Sequence, residues 1–121
     1  MGHMHVDITV RGSKAVVELR DVLVDTGATY TVLPEKVLSE VVAWGPIQDL
    51  EVELGNGTSV RAKAYGVAIR IEGVEALSTG ITFEGGQPVI GVETLESIGL
   101  KLVPTTGKLE FTRPKGVAYF Y

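Results

Sequence analysis

The stretch Asp25-Thr26-Gly27-Ala28-Thr29 holds the residue types and order that could do chemistry. The apolar run Val22-Leu23-Val24 leads into a carboxyl group, and small residues follow it. Burying a carboxylate at the end of an apolar strand, as Asp25 is expected to be, is costly unless it is hydrogen-bonded or shares a proton. Gly27 permits close backbone approach or a positive φ. Ala28 keeps the surroundings small, and the hydroxyls of Thr26 and Thr29 can bond to backbone or carboxylate. These parts hold one acid rigidly, and the chemistry on offer is general acid–base catalysis by a carboxyl group. The plainer alternative is an ordinary Asp-Thr-Gly turn after a strand, because a motif match is a hypothesis until its context agrees.

Other chemistries have little material. The 121 residues include no cysteine, so there is no disulfide framework, thiolate metal site or cysteine nucleophile. A reducing, cytoplasmic setting is expected from that composition. Met1-Gly2-His3-Met4 reads as an expression-vector remnant, so residues 1–5 are set aside and 6–121 are expected to form one domain. With them go both histidines, His3 and His5, and the case for histidine metal sites or a Ser-His-Asp triad. No metal and no organic cofactor is expected. The 11 basic and 15 acidic side chains give a net charge of -4, and the most basic feature is the short Arg113-Pro114-Lys115. Nucleic acid is therefore not an expected partner. No apolar run reaches the roughly 18 residues of a membrane span, and no secretory leader is evident. Asp7, Asp21 and Asp49 read as solvated charges, and Glu35 as a carboxylate favouring a helix start. Trp44 and the four tyrosines suit a core or an interface.

The elements that must position Asp25 follow from periodicity. The 15 glycines among short valine-rich runs point to a mostly β fold with many tight turns. Val6 to Val10 alternates as a half-buried strand does, and Gly12-Ser13 turns. Ala15 to Leu19 and Val22 to Val24 read as strands, and Thr31 to Pro34 as extended chain. Val37, Leu38, Val41 and Val42 predict a helix over Glu35 to Ala43, stopped by Gly45-Pro46. Leu50 to Leu54 and Val60 to Ala64 flank Gly55-Asn56-Gly57-Thr58, a strong hairpin signal. Strands are also expected at Tyr65 to Ile71, Val74 to Leu77 and Ile81 to Phe83. Val89-Ile90-Gly91 is a short apolar strand; Val92, Leu95 and Ile98 then predict a helix capped by Gly99. Leu100 to Val103 and Leu109 to Thr112 suggest a last hairpin, before the β-forming run Val117 to Tyr121.

From about Val6 to Phe111 the sequence resembles the retropepsin-like aspartic proteases, the single-lobed relatives of pepsin that include retroviral proteases and Ddi1-type proteins. The resemblance rests on Asp25-Thr26-Gly27-Ala28 after two strands, on the hairpin at Gly55 to Thr58 where the family has its flap, and on Val89-Ile90-Gly91 with the helix after it. It implies a closed β-barrel of the acid protease fold with one or two short helices, acting as a two-fold symmetric homodimer. Peptide hydrolysis by carboxyl groups needs two of them around one water, and the pair shares one proton and titrates as a unit. One copy of the motif per chain makes a symmetric dimer the simplest solution, with Asp25 from each subunit at the axis.

By the same resemblance Thr26 bonds across the axis, Gly27 presents its carbonyl to substrate, and Ala28 lines the pocket. Thr29 stands where retroviral members commonly carry an Asp, so the substrate contact made there is not implied. Gly55, Asn56, Gly57 and Thr58 would close over an extended peptide or unfolded protein. Residues 117–121 are expected to join an intersubunit sheet, with packing back on their own subunit as the competing arrangement. The leading expectation is an aspartic endopeptidase. The alternatives are a retropepsin-fold dimerisation or peptide-binding module without significant catalysis, and a small β-barrel unrelated to proteases.

Overall fold

The computed structural model describes residues 4–120; residues 1–3 of the N-terminal stretch set aside above, and Tyr121, lie outside them. β1 (Met4–Arg11) and β2 (Val16–Val24) form an antiparallel hairpin across the Gly12-Ser13 turn. Val6, Ile8 and Val10 are buried, as their alternation predicts. Met4 and His5 belong to this ladder, opposite Val24 and Leu23. β2 is one strand where the sequence suggested two. The register shifts between Val6 and Ile8, and Asp21 takes a φ of 53°. Its N–H donates to Asp7 Oδ1 at 3.0 Å. The two exposed aspartates thus make a β-bulge rather than merely solvating the surface.

β3 (Thr31–Val32) leads into α1 (Glu35–Val41), whose buried face is Val37, Leu38 and Val41. The helix ends two residues earlier than predicted, because Val42 turns into the left-handed region at φ 55°. The Val42 and Ala43 N–H groups close the end on Ser39 O and Leu38 O. β4 (Trp44–Glu53) then starts well before Leu50, and Gly45-Pro46 sits inside it, where the pairing with the next strand shifts. β5 (Ser59–Ile71) runs unbroken through Gly66. β6 (Val74–Thr82), β7 (Val89–Ile90), α2 (Val92–Ile98), β8 (Leu100–Val103) and β9 (Lys108–Phe111) complete the described elements.

The molecule is mostly β, with two short helices among the described residues. Seven strands pair in the order β1-β2-β7-β3-β6-β5-β4, and β1 also pairs with β5. The extra pairing closes β1, β2, β7, β3, β6 and β5 into a ring, with β4 attached to the free part of β5. This works because β5 is long. Ser59 to Gly66 faces β4, Ala68 to Arg70 faces β1, and its other edge is taken by β6. The main core fills the ring with Ile8, Val10, Leu33, Val67, Ile69 and Ile90. A smaller cluster of Val32, Ala62, Ala64 and Ile81 lies under β4.

α2 is capped as its sequence indicates. Gly99 adopts φ 92° and its N–H reaches Leu95 O at 2.8 Å. Arg113 covers this end, donating to Glu96 O and Ser97 O, and its Nε–H donates to Val117 O at 2.7 Å. Residues 117–120 form no strand, and Phe120 is fully exposed. No described helix is long and apolar enough to cross a membrane.

Candidate active site

Val22 and Val24 anchor the end of β2 in the core, and the chain leaves the sheet at Asp25. β2 runs parallel to β7, pairing Leu23 with Val89 and Val24 with Ile90. The Asp25 N–H continues that ladder by donating to Ile90 O at 2.9 Å. The loop then folds on itself. Asp25 Oδ1 accepts the Gly27 N–H at 2.8 Å, and Asp25 O accepts the Ala28 N–H at 3.0 Å. An aspartate accepting from the backbone two residues on is the usual way such a side chain stabilises a turn. Here it also fixes the direction of the carboxyl.

A second layer holds the loop from behind. Ala28 O accepts the Val92 N–H at 2.8 Å, and Thr29 O accepts the Glu93 N–H at 2.9 Å. Gly91 makes this approach possible. A Cβ there would lie 2.5 Å from both the carbonyl carbon and oxygen of Tyr30 and 2.8 Å from Ala28 O. Only a residue without a side chain lets the two backbones touch.

The sequence placed Asp25 as a buried acid; in the single chain it is exposed, as are Thr26, Gly27 and Thr29. The apolar strand before it is buried, but the loop emerges at the rim of the ring. Asp25, Gly27, Ala28 and Thr29 line one wall of a cleft of about 660 Å³. The opposite wall is the stem of the β4–β5 hairpin, from Leu50 to Gly55. Tyr30, Val32, Ile81, Phe83 and Val89 give the cleft an apolar floor and sides. Its charged lining is acidic throughout: Asp25, Glu51 and Glu53. The volume lies in the range of ligand-binding clefts. Thr26 is turned elsewhere, into a shallower hollow of about 290 Å³ between the loop and Val92, Glu93 and Glu96.

The hairpin tip differs in detail from the sequence reading. A two-residue Asn-Gly turn was the signal, but the loop has three residues. The Gly57 N–H donates to Leu54 O, Gly57 takes φ 85°, and Leu54 N–H reaches Thr58 O at 2.8 Å. This is a tight turn followed by a left-handed glycine. Asn56 Oδ1 accepts both the N–H and the hydroxyl of Thr58, which stiffens the tip. Gly55 lines the cleft, whereas Asn56, Gly57 and Thr58 stand beyond its lining.

Sequence reasoning missed most of the cleft. Tyr30, Ile81, Phe83 and Val89 come from three separate segments, and nothing in their local pattern marks a common wall. Among the described residues no cluster of three or more His, Cys, Asp or Glu side chains is arranged to hold a metal ion. In comparisons with known proteins, no family model and no curated protein matches the chain.

Proposed function

We propose that the chain is half of a homodimeric aspartic endopeptidase with a retropepsin-like fold, in which the Asp25 carboxyls of two subunits activate one water. One observation carries this reading. An exposed, oriented carboxyl stands at the rim of an apolar cleft, on a loop pinned by backbone bonds to residues 90–93. Such a rigid mounting has no evident use in a simple turn. An exposed acid with one oxygen bonded only to its own loop is free to meet a twin.

In the dimer one Asp25 is ionised and takes a proton from the water as its oxygen attacks the scissile carbonyl carbon. The other, protonated, donates to the carbonyl oxygen. The tetrahedral intermediate collapses with rupture of the C–N bond, and a carboxyl proton goes to the departing amine. Two such carboxyls in contact cannot both ionise cheaply, so they share a proton. Burial, absent in the isolated chain, is supplied by dimerisation. The peptide lies extended between the Asp25 loop and the hairpin stem, its apolar side chains against Tyr30, Val32 and Phe83. Residues 117–120, exposed and rooted by Arg113, are available to extend the dimer contact.

The test is digestion of an unfolded protein between about pH 3 and pH 7, where a shared-proton pair operates, with sedimentation mass measured on the same samples. The wild type is expected to be dimeric, to cleave, and to be blocked by a statine-type transition-state mimic. Asp25→Asn is expected to stay dimeric and lose cleavage. Full cleavage by Asp25→Asn, or a stable monomer that cleaves, refutes the proposal. A dimer inert across the whole range points instead to a binding module.

A further inference from the structure

A single line of hydrogen bonds runs through the interior behind the Asp25 loop. The Gly91 N–H donates to Thr31 Oγ1 at 3.1 Å. Thr31 Oγ1 and Thr94 Oγ1 are 2.5 Å apart, as are Thr94 Oγ1 and Ser78 Oγ. The Ser78 hydroxyl donates to Glu93 Oε1 at 3.0 Å. Thr31 and Thr94 are fully buried and Ser78 nearly so.

The direction of every bond follows from counting protons. Each hydroxyl has one to give, and an ionised carboxylate only accepts. Ser78 gives its proton to Glu93, so Thr94 must donate to Ser78. Thr94 then has none left for Thr31, so Thr31 donates to Thr94 and takes the Gly91 N–H on its oxygen. The relay runs one way, from a backbone amide to a carboxylate. Reversing any member leaves a neighbour without a donor, in a place where water cannot supply one. Glu93 is held at its end by the Thr79 N–H at 2.9 Å on Oε1 and the Thr79 hydroxyl at 3.0 Å on Oε2.

Both ends of the relay are residues that touch the loop. Gly91 lies against the carbonyls of Ala28 and Tyr30, and the Glu93 N–H donates to Thr29 O. We propose that Thr31, Thr94, Ser78 and Glu93 are positioning residues, whose one-way relay fixes Gly91 and Glu93 and through them the Asp25–Thr29 backbone. As a statement about catalysis this rests on the peptidase reading; as a statement about the loop it does not.

Thr94→Val keeps the shape and removes the central hydroxyl. In the intact 121-residue chain, amide hydrogen exchange at Asp25, Gly91, Val92 and Glu93 is expected to quicken about tenfold, the scale of a local opening. The amides of Val67 and Ile69 in β5 are expected to keep their protection. On a peptide substrate, kcat is expected to fall about tenfold with KM changed less than about twofold, as for misplacement of a reacting group. Thr94→Ser is expected to restore both. Unchanged exchange at the loop overturns the proposal. So does a uniform rise in exchange across the sheet, which marks a purely structural role. If Thr94→Val does not fold, Ser78→Ala is read by the same two measurements. Absence of Asp25-dependent cleavage in the wild type removes the peptidase reading, and loop exchange alone then decides the relay.

Discussion

Asp25 and Gly91 form a pair in which one residue carries the proposed chemistry and the other the geometry. The carboxyl is aimed by the Gly27 N–H, but the loop sits where it does because Gly91 has no side chain. Gly91→Ala is therefore expected to cost about 2–3 kcal/mol, since a methyl group would meet backbone rather than a movable side chain. Urea unfolding measures the loss, and a change below about 0.5 kcal/mol would show that the close approach is not a constraint. Val42 is the reverse case, a β-branched residue held at φ 55° where an L-residue is strained. Its side chain is 44% exposed, so little packing is lost on replacement. Val42→Gly is expected to raise stability by about 0.5–1 kcal/mol, relief of the strain outweighing the extra freedom of the unfolded glycine.

At the scale of elements, the strands of the ring act as a frame and the segments at its rim as tools. β2 and β7 run parallel side by side, which delivers Asp25 and Gly91 to the same end of the sheet. β5 serves two partners on one edge, so the β4–β5 hairpin projects from the ring with a stem that walls the cleft. Across β5, Arg11 of β1 and Glu75 of β6 make a two-pronged ion pair at 2.7 and 3.1 Å. The hydrogen bond from Arg11 holds the Glu75 carboxyl below its ordinary range. Its pKa is lower folded than unfolded, so the pair's contribution is whole above the unfolded value of about 4.3 and fades as pH falls through the folded one. The thermal midpoint of Glu75→Gln is expected to lie slightly below that of wild type at pH 7 and to converge with it in acid. The gap at pH 7 should narrow with added salt, because the pair is largely exposed. A gap that widens in acid would contradict this assignment.

For the whole molecule, the proposed dimer turns on the surfaces that one chain leaves exposed. The Asp25 loop, the shallow hollow beside Thr26 and the run from Val117 to Phe120 are all exposed in a single copy. A second copy covering these surfaces would bury the acid that one chain leaves in water. On the proposed dimer, removal of residues 116–121 is expected to lower the sedimentation mass to that of a monomer at micromolar concentration and to abolish cleavage with it. A dimer of unchanged stability would assign that segment to its own subunit or to none.

Local pattern made much of this legible. The alternation of Val6, Ile8 and Val10 set a strand and the three-residue spacing of Val92, Leu95 and Ile98 before Gly99 set α2, because a short period fixes which face is apolar; the acid after Val22-Leu23-Val24 marked a candidate site by its contrast with the apolar run. Nothing local showed that Trp44 to Asp49 is strand, since all six residues are exposed and only pairing with β5 makes them one. Tyr65 to Ile71 reads as strand through Gly66, and pairing on both edges holds β5 continuous there. The relay through Thr31, Thr94, Ser78 and Glu93 joins residues up to 63 positions apart, and the apolar cleft gathers residues from segments as widely spaced. Such contacts depend on the closure of the ring, and the exposure of Asp25 depends on where that ring ends. Periodicity within a strand or helix carries information about faces; it carries none about which distant hydroxyl will stand opposite.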